Sequence, residues 1–421
     1  MTLKANNPPA QITREFSANG RMYRPPATPV VVICIDGCAD EYLSTSLDQG
    51  RMPHVARMIA SGYRGMARGA LPSFTNVNNA SIVTGMPPSV TGISGNFFLD
   101  PQTGQQVMMN SARYLRCETL LAAAAGAGRK VAVVTAKEKL RDILSHNLSG
   151  IAISSENARE ATTATHGIGD VEQLVGMKTP PIYSAAASLF VLSAGAALVE
   201  QGKADFLYLS LTDYIQHKYP PDARESLNFY GAIDVQIGRL LELGAVLGAT
   251  ADHGMNAKMT ADGKPNVIYL ESLLDEQFGG CAKVVCPITD PYVVHHGALG
   301  SLVMVHLVDL SLAERVGQWI GRLTGITEVY DRPAAAEKLE LPADRIGDLV
   351  VLSGQNVVLG RTPEDHDLSL LDGGLRSHGG RFEQMVPMLL SEPLSDTYAA
   401  KAAGDVRNFD IFEFTCCGAG R

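Results

Sequence analysis

The sequence predicts an α/β protein with a mostly parallel central sheet flanked by helices, and three observations carry that prediction. First, four short runs are almost continuously apolar and rich in β-branched residues: Pro29–Ile35, Lys130–Thr135, Ala204–Leu211 and Ala245–Thr250. Such runs suit strands buried on both faces. Second, segments of helical period separate them, the alternation expected when helices cover both faces of a parallel sheet. Third, three of the four runs finish on residues able to bind a ligand: Asp36, Asp213 and the pair Asp252-His253. In open α/β sheets, ligands collect at the carboxyl ends of the strands.

Residues 1–27 are polar and proline-bearing and read as a surface arm. After the first strand, Met52–Ser61 has helical period and is closed by Gly62. Ala70–Asn96 follows, in which Pro72 and Ser73 lead into a helix that begins near Thr75 and ends in a Gly/Pro-rich loop carrying Asn96. Leu115–Ala127 is an alanine-rich helix closed by glycines, and it feeds the second strand. Helices over Ile182–Gln201 and Leu227–Leu243 precede the third and fourth strands. From residue 260 to 364 the pattern changes to short alternating strands and helices, which suggests a smaller α+β lid domain inserted into the core. The core then comprises residues 28–259 and 365–421, with a final strand at Met385–Leu390.

The chain has 421 residues, of which 46% are hydrophobic, enough for a large core and an insertion. A net charge of −9 and a pI near 5.6 provide no electrostatic footprint for nucleic acid or an anionic membrane. An anionic substrate would therefore need local positive charge. No apolar run of about 18 residues is present to span a membrane, and no leader-like apolar stretch opens the sequence. Seven scattered cysteines, an odd number, read as reduced thiols. A cytoplasmic location is the expectation, with a homodimer favoured by the general frequency of such assemblies.

Alone, each candidate residue has an ordinary explanation. Thr75 reads as a helix cap, Lys137 and Lys139 as a solvated surface, and a DxxxH or Asp-His pair as a satisfied polar pair. The set is more telling. A hydroxyl at a helix N-terminus sits where backbone N–H groups favour an anion. Asp36, Asp213, His217, Asp252, His253 and His378 supply the carboxylates and imidazoles that suit zinc or a similar divalent ion. Asp213 and His217 are four apart, which puts both on one face of a helical turn.

The motifs VVVICIDG, PSFTNVNNASIVTG, GISGNFF, VVTAKEKL, SLTDYIQHKY, TADHGM and SHGGR resemble those of the alkaline phosphatase superfamily, in its nucleotide pyrophosphatase/phosphodiesterase-like branch. The resemblance runs from Val30 to the C-terminus. It implies an alkaline-phosphatase-like core and a hydrolase with two zinc ions, for which manganese or iron could substitute. One ion would be held by Asp213, His217 and His378. The other would be held by Asp36, Asp252 and His253, with Thr75 as nucleophile and further ligand. Asn96 matches the phosphoryl-binding asparagine. Lys137 and Lys139 match a carboxylate-binding feature, which implies a small phosphonate, phosphonoacetate, cleaved to acetate and phosphate through a phosphothreonine.

A phosphodiesterase or nucleotide pyrophosphatase using the same site is the alternative, although it would not need the two lysines. A catalytically inactive phosphonate-binding protein is a further reading. Thr75 in SFTNV lacks the Cys-x-Pro-x-Arg context of a sulfatase and replaces the serine of a cofactor-independent mutase. His54, His146, His166, His306 and His366 have no partner pattern. His295 and His296, in the predicted lid, could touch substrate or could simply belong to a loop.

Overall fold

The computed structural model describes residues 15–290, 297–369, 371 and 374–420. Most of the predicted arm, and both His295 and His296, lie outside the described residues.

Seven strands form the main sheet, in the spatial order Tyr63–Arg68, Met385–Leu390, Val246–Thr250, Val30–Cys34, Phe206–Ser210, Val131–Thr135 and Ile151–Ser154. The last five are parallel to one another, and the first two are antiparallel to their neighbours. Val30–Cys34, Val131–Thr135, Phe206–Ser210 and Val246–Thr250 are buried at every residue, as a sheet covered on both faces requires. One face packs against Asp40–Asp48, Pro53–Ser61, Ala185–Glu200 and Arg224–Glu242; the other packs against Leu120–Gly126 and Ile411–Cys417. All seven cysteines are free.

Several extents differ from the sequence expectation. The alanine-rich helix starts at Leu120, because the Thr119 hydroxyl accepts the Ala122 N–H and caps it there. Tyr63–Arg68 was not expected as a strand. Its YRGMAR pattern, with alternate residues exposed, belongs to a sheet edge and lacks the continuous apolar run of the central strands. Within residues 260–364, Ala282–Val285, Leu302–Leu307, Leu349–Ser353 and Ile326–Asp331 form a four-stranded antiparallel sheet. The helices Leu270–Phe278 and Ala313–Ile320 pack on it.

Register fixes what happens at the sheet's carboxyl edge. Thr250, Cys34, Ser210 and Thr135 stand side by side across four adjacent parallel strands. Asp252, Asp36 and Lys137 each follow two residues beyond this row, and Asp213 follows three beyond. Residues scattered along the chain therefore emerge at one edge.

Candidate active site

The crowding begins at Gly37, whose φ is +69°. A Cβ there would lie 2.9 Å from that of Asp213, so glycine lets the first strand's exit pass close beside the third's. Asp213 precedes the short helix Tyr214–Lys218, and the His217 N–H bonds to the Asp213 carbonyl at 3.0 Å. This turn brings His217 Nε2 to 2.9 Å from Asp213 Oδ2. His378 arrives from the SHGG loop, 3.8 Å from the same oxygen. Its loop passes so close to Phe74 that a Cβ on Gly379, at φ +119°, would come within 2.3 Å of the ring.

Each of the three histidines is turned inward by a bond on its other nitrogen. Nδ1 of His217 meets the Arg376 carbonyl at 2.9 Å, that of His253 the Gly254 carbonyl at 2.9 Å, and that of His378 the Ser73 carbonyl at 2.7 Å. A carbonyl only accepts, so Nδ1 carries the proton in each case and Nε2 faces the carboxylates. This is the arrangement expected of metal-binding imidazoles.

The carboxylates show the same need for cations. Asp36 is buried, and among the described residues neither of its oxygens has a hydrogen-bond partner. Oδ1 lies 3.3 Å from His253 Nε2, and Oδ2 lies 3.9 Å from Lys137 Nζ. Burial, followed by the charge of Asp36, pushes the Asp252 carboxyl up to about 8. Burial disfavours the charged imidazole of His253, but Asp252 and Asp36 outweigh it and raise its pKa to about 10. A site that draws protons this strongly fits bound metal cations.

Two groups of buried side chains bring their ligand atoms within 4.8 Å of one another: Asp213, His217 and His378, and Asp36, Asp213 and His253. The first is the expected set. In the second, Asp213 rather than Asp252 completes the group; Asp252 Oδ2 stands 3.7 Å from His253 Nε2.

Thr75 opens the helix Thr75–Thr84, which is buried along its whole length. It is not the cap: that position belongs to Phe74, whose side chain makes no capping hydrogen bond. The Thr75 hydroxyl instead lies 3.5 Å from His253 Nε2. Asn96 lines the same cleft, its side-chain oxygen accepting the Asn76 N–H at 3.0 Å. Lys137 and Lys139 line it too. Burial disfavours the Lys137 ammonium, yet Asp213 and Asp36 hold its pKa above the ordinary lysine value, with Nζ 3.3 Å from Asp213 Oδ1. Lys139 pairs with the buried Asp290. Burial, and then the Lys137 charge, lower the Lys139 pKa, while the contacting Asp290 carboxylate favours the charged ammonium.

Three supporting residues were not read from the sequence. Asn79 donates to Asp252 Oδ2 at 3.1 Å and accepts from the Tyr208 and Ser210 hydroxyls. Ser73 joins the Thr75 segment to the His378 loop, its N–H bonding to the Gly379 carbonyl and its hydroxyl to the Gly380 carbonyl. Asp290 is the third. An Asn within a turn of Thr75 and a Ser just before it were visible as polar residues, but nothing marked their partners. Of the histidines without a partner pattern, His366 is held by the Arg361 N–H and the Gly297 carbonyl, away from the cleft.

Carboxylates, inward-facing imidazoles and a hydroxyl meet in one cleft, a donor set that suits a metal-assisted hydrolase, and the chain belongs to the type I phosphodiesterase / nucleotide pyrophosphatase family, whose model matches residues 30–380. Among solved structures, it is similar to the phosphonoacetate hydrolase of Sinorhizobium meliloti 1021. The complex with phosphonoformate is 44% identical and the complex with phosphonoacetate 43% identical. Each match covers 96% of this chain and 99% of that one, with a TM-score of 0.92. Human ectonucleotide pyrophosphatase / phosphodiesterase 5 shares the fold at 15% identity and a TM-score of 0.63, over 92% of this chain and 94% of that one. Among the described residues no helix is long and apolar enough to cross a membrane.

Proposed function

We propose that this chain hydrolyses the carbon–phosphorus bond of phosphonoacetate, giving acetate and phosphate. The observation that carries the reading is the lysine pair, Lys137 and Lys139, in the same cleft as Thr75 and the carboxylate–imidazole groups. Its likeness to a phosphonoacetate hydrolase over almost the whole chain supports it.

Asp213, His217 and His378 would hold one metal ion and Asp36, Asp252 and His253 a second, zinc being the best match to this donor set. Bound there, the metals would neutralise phosphoryl oxygens and favour the ionised forms of nearby hydroxyl groups. Thr75 Oγ1 is the nucleophile. It forms a bond to phosphorus while the carbon–phosphorus bond breaks, and the electron pair leaves with carbon. Lys137 and Lys139 meet the substrate carboxylate, so the leaving carbanion spreads its charge onto oxygens beside two ammonium groups. Protonation of that carbon gives acetate. Water then cleaves the phosphothreonine and restores Thr75. Asn96 and the N–H groups at the start of the Thr75 helix orient the phosphoryl group. Residues 260–364 act as the lid in this reading. Ile288 and Asp290 from that segment line the cleft, and the Pro287 carbonyl accepts the Asn96 N–H at 2.8 Å.

The test is phosphate release from phosphonoacetate by zinc-loaded protein, beside p-nitrophenyl phosphate and bis-p-nitrophenyl phosphate. Turnover of phosphonoacetate that a chelator abolishes is expected. Turnover of the aryl esters alone would transfer the site to a phosphodiesterase, and binding without any turnover would leave a phosphonate-binding protein.

A further inference from the structure

The two lysines are held by different carboxylates. Lys137 leans on Asp213 and Asp36, both members of the metal-ligand groups. Lys139 is paired with Asp290, which belongs to neither group and comes from the inserted segment. The Lys139 side chain keeps 20% of its surface exposed and that of Asp290 only 3%, so the lysine is the more accessible partner of the pair. The chain leading up to Asp290 is anchored: Ile288 is buried in the core under the inserted sheet, and the Thr289 N–H bonds to the Cys286 carbonyl at 3.0 Å. Lys137, Lys139 and Asp290 also separate the Thr75 cleft from a neighbouring cavity of about 260 Å³ lined by Ile182 and Tyr183.

A lysine has four rotatable bonds, and ordering them costs on the order of 1.5–2 kcal/mol. An ion pair formed before the ligand arrives removes that cost from the binding step. We infer that Asp290 is a positioning residue for carboxylate recognition: it presents the Lys139 ammonium to the carboxylate of a carboxylated phosphonate, and it acts on the substrate only through that lysine. This rests on the functional reading above, in which the lysines face the substrate carboxylate.

The experiment compares Asp290→Asn with the parent, both zinc-loaded, in two measurements. One is kcat and KM for phosphonoacetate; the other is inhibition by inorganic phosphate, which has no carboxylate. The kcat/KM for phosphonoacetate is expected to fall about tenfold or more while the inhibition constant of phosphate stays within about twofold. In a Lys139→Met background, adding Asp290→Asn is expected to cause no further loss. An equal weakening of phosphate, an unchanged kcat/KM for phosphonoacetate, or a further loss in the Lys139→Met background would each overturn the inference. If Asp290→Asn alone does not fold, Lys139→Met against the double variant still decides, since the double variant leaves no buried charge unpaired. A parent protein that is inert toward phosphonoacetate would instead remove the functional reading itself, before any variant is compared.

Discussion

The carboxylate–imidazole half of the cleft and its lysine half rise from the same row of strand ends, yet they are anchored by different means. The three histidines are fixed through bonds to backbone carbonyls of Arg376, Gly254 and Ser73, and Asp252 is held by Asn79. Backbone anchors give that half little freedom, and its closely spaced buried carboxylates call for cations. The lysines are fixed by ion pairs, one with the metal-ligand carboxylates and one with a residue of the inserted segment. In the proposed reading the first half does chemistry on a phosphoryl group, and the second decides what the phosphorus is attached to. The family match bears on the first half, whereas the proposed selectivity for a carboxylated substrate rests on the second.

If that division is right, damage to the first half abolishes turnover of every substrate. Thr75→Ala is expected to lower kcat on the order of 10⁴-fold for phosphonoacetate and for any slower phosphate ester alike, measured by phosphate release. Substantial residual turnover would mean that water attacks directly and no phosphothreonine forms. Next in size, a chelator should abolish activity and lower the thermal midpoint. Ligand at a thousandfold its dissociation constant adds about 4 kcal/mol of stability, and removing it leaves buried carboxylates facing one another. A midpoint unmoved by chelation would break the argument from Asp36 and Asp252.

Damage to the second half should separate the substrates. Lys137→Ala is expected to reduce kcat on phosphonoacetate about 10²-fold, the size associated with losing one stabilising contact to developing charge, and to change turnover of p-nitrophenyl phosphate far less. Equal losses on both would place Lys137 with the metal-ligand half, through its contact with Asp213.

The same division explains what could be read in the sequence. Asp36, Asp213, His217, Asp252 and His253 were legible because each sits at the end of an apolar run, and the burial that makes such a run a central strand also delivers its end to the ligand edge. Lys137 and Lys139 were legible for the same reason. The direction of Met385–Leu390 was not, since an apolar run encodes burial but not polarity of pairing; the strand runs antiparallel to Val246–Thr250. Asp290 was invisible because its meaning lies wholly in Lys139, a residue far away in the chain. Ser73 and Asn79 carry ordinary polar side chains whose roles arise only when the Thr75 helix meets the His378 loop and the fourth strand's exit.

The smallest expected effect tests how much redundancy the metal-ligand half contains. The Tyr208 hydroxyl donates to Asn79 Oδ1 at 2.7 Å, and Asn79 in turn donates to Asp252 Oδ2. Tyr208→Phe removes one donor, but the Ser210 hydroxyl still donates to the same oxygen at 2.9 Å, so no buried acceptor is orphaned. The cost should be about 1 kcal/mol of unfolding free energy, the net worth of one buried hydrogen bond. Activity should stay within about threefold, because Asn79 keeps its orientation. Denaturant unfolding and steady-state rates together check this. A tenfold fall in rate with little loss of stability would show that the Tyr208 hydroxyl tunes Asp252 through Asn79, so that the ligand set is held by a chain in which every bond counts.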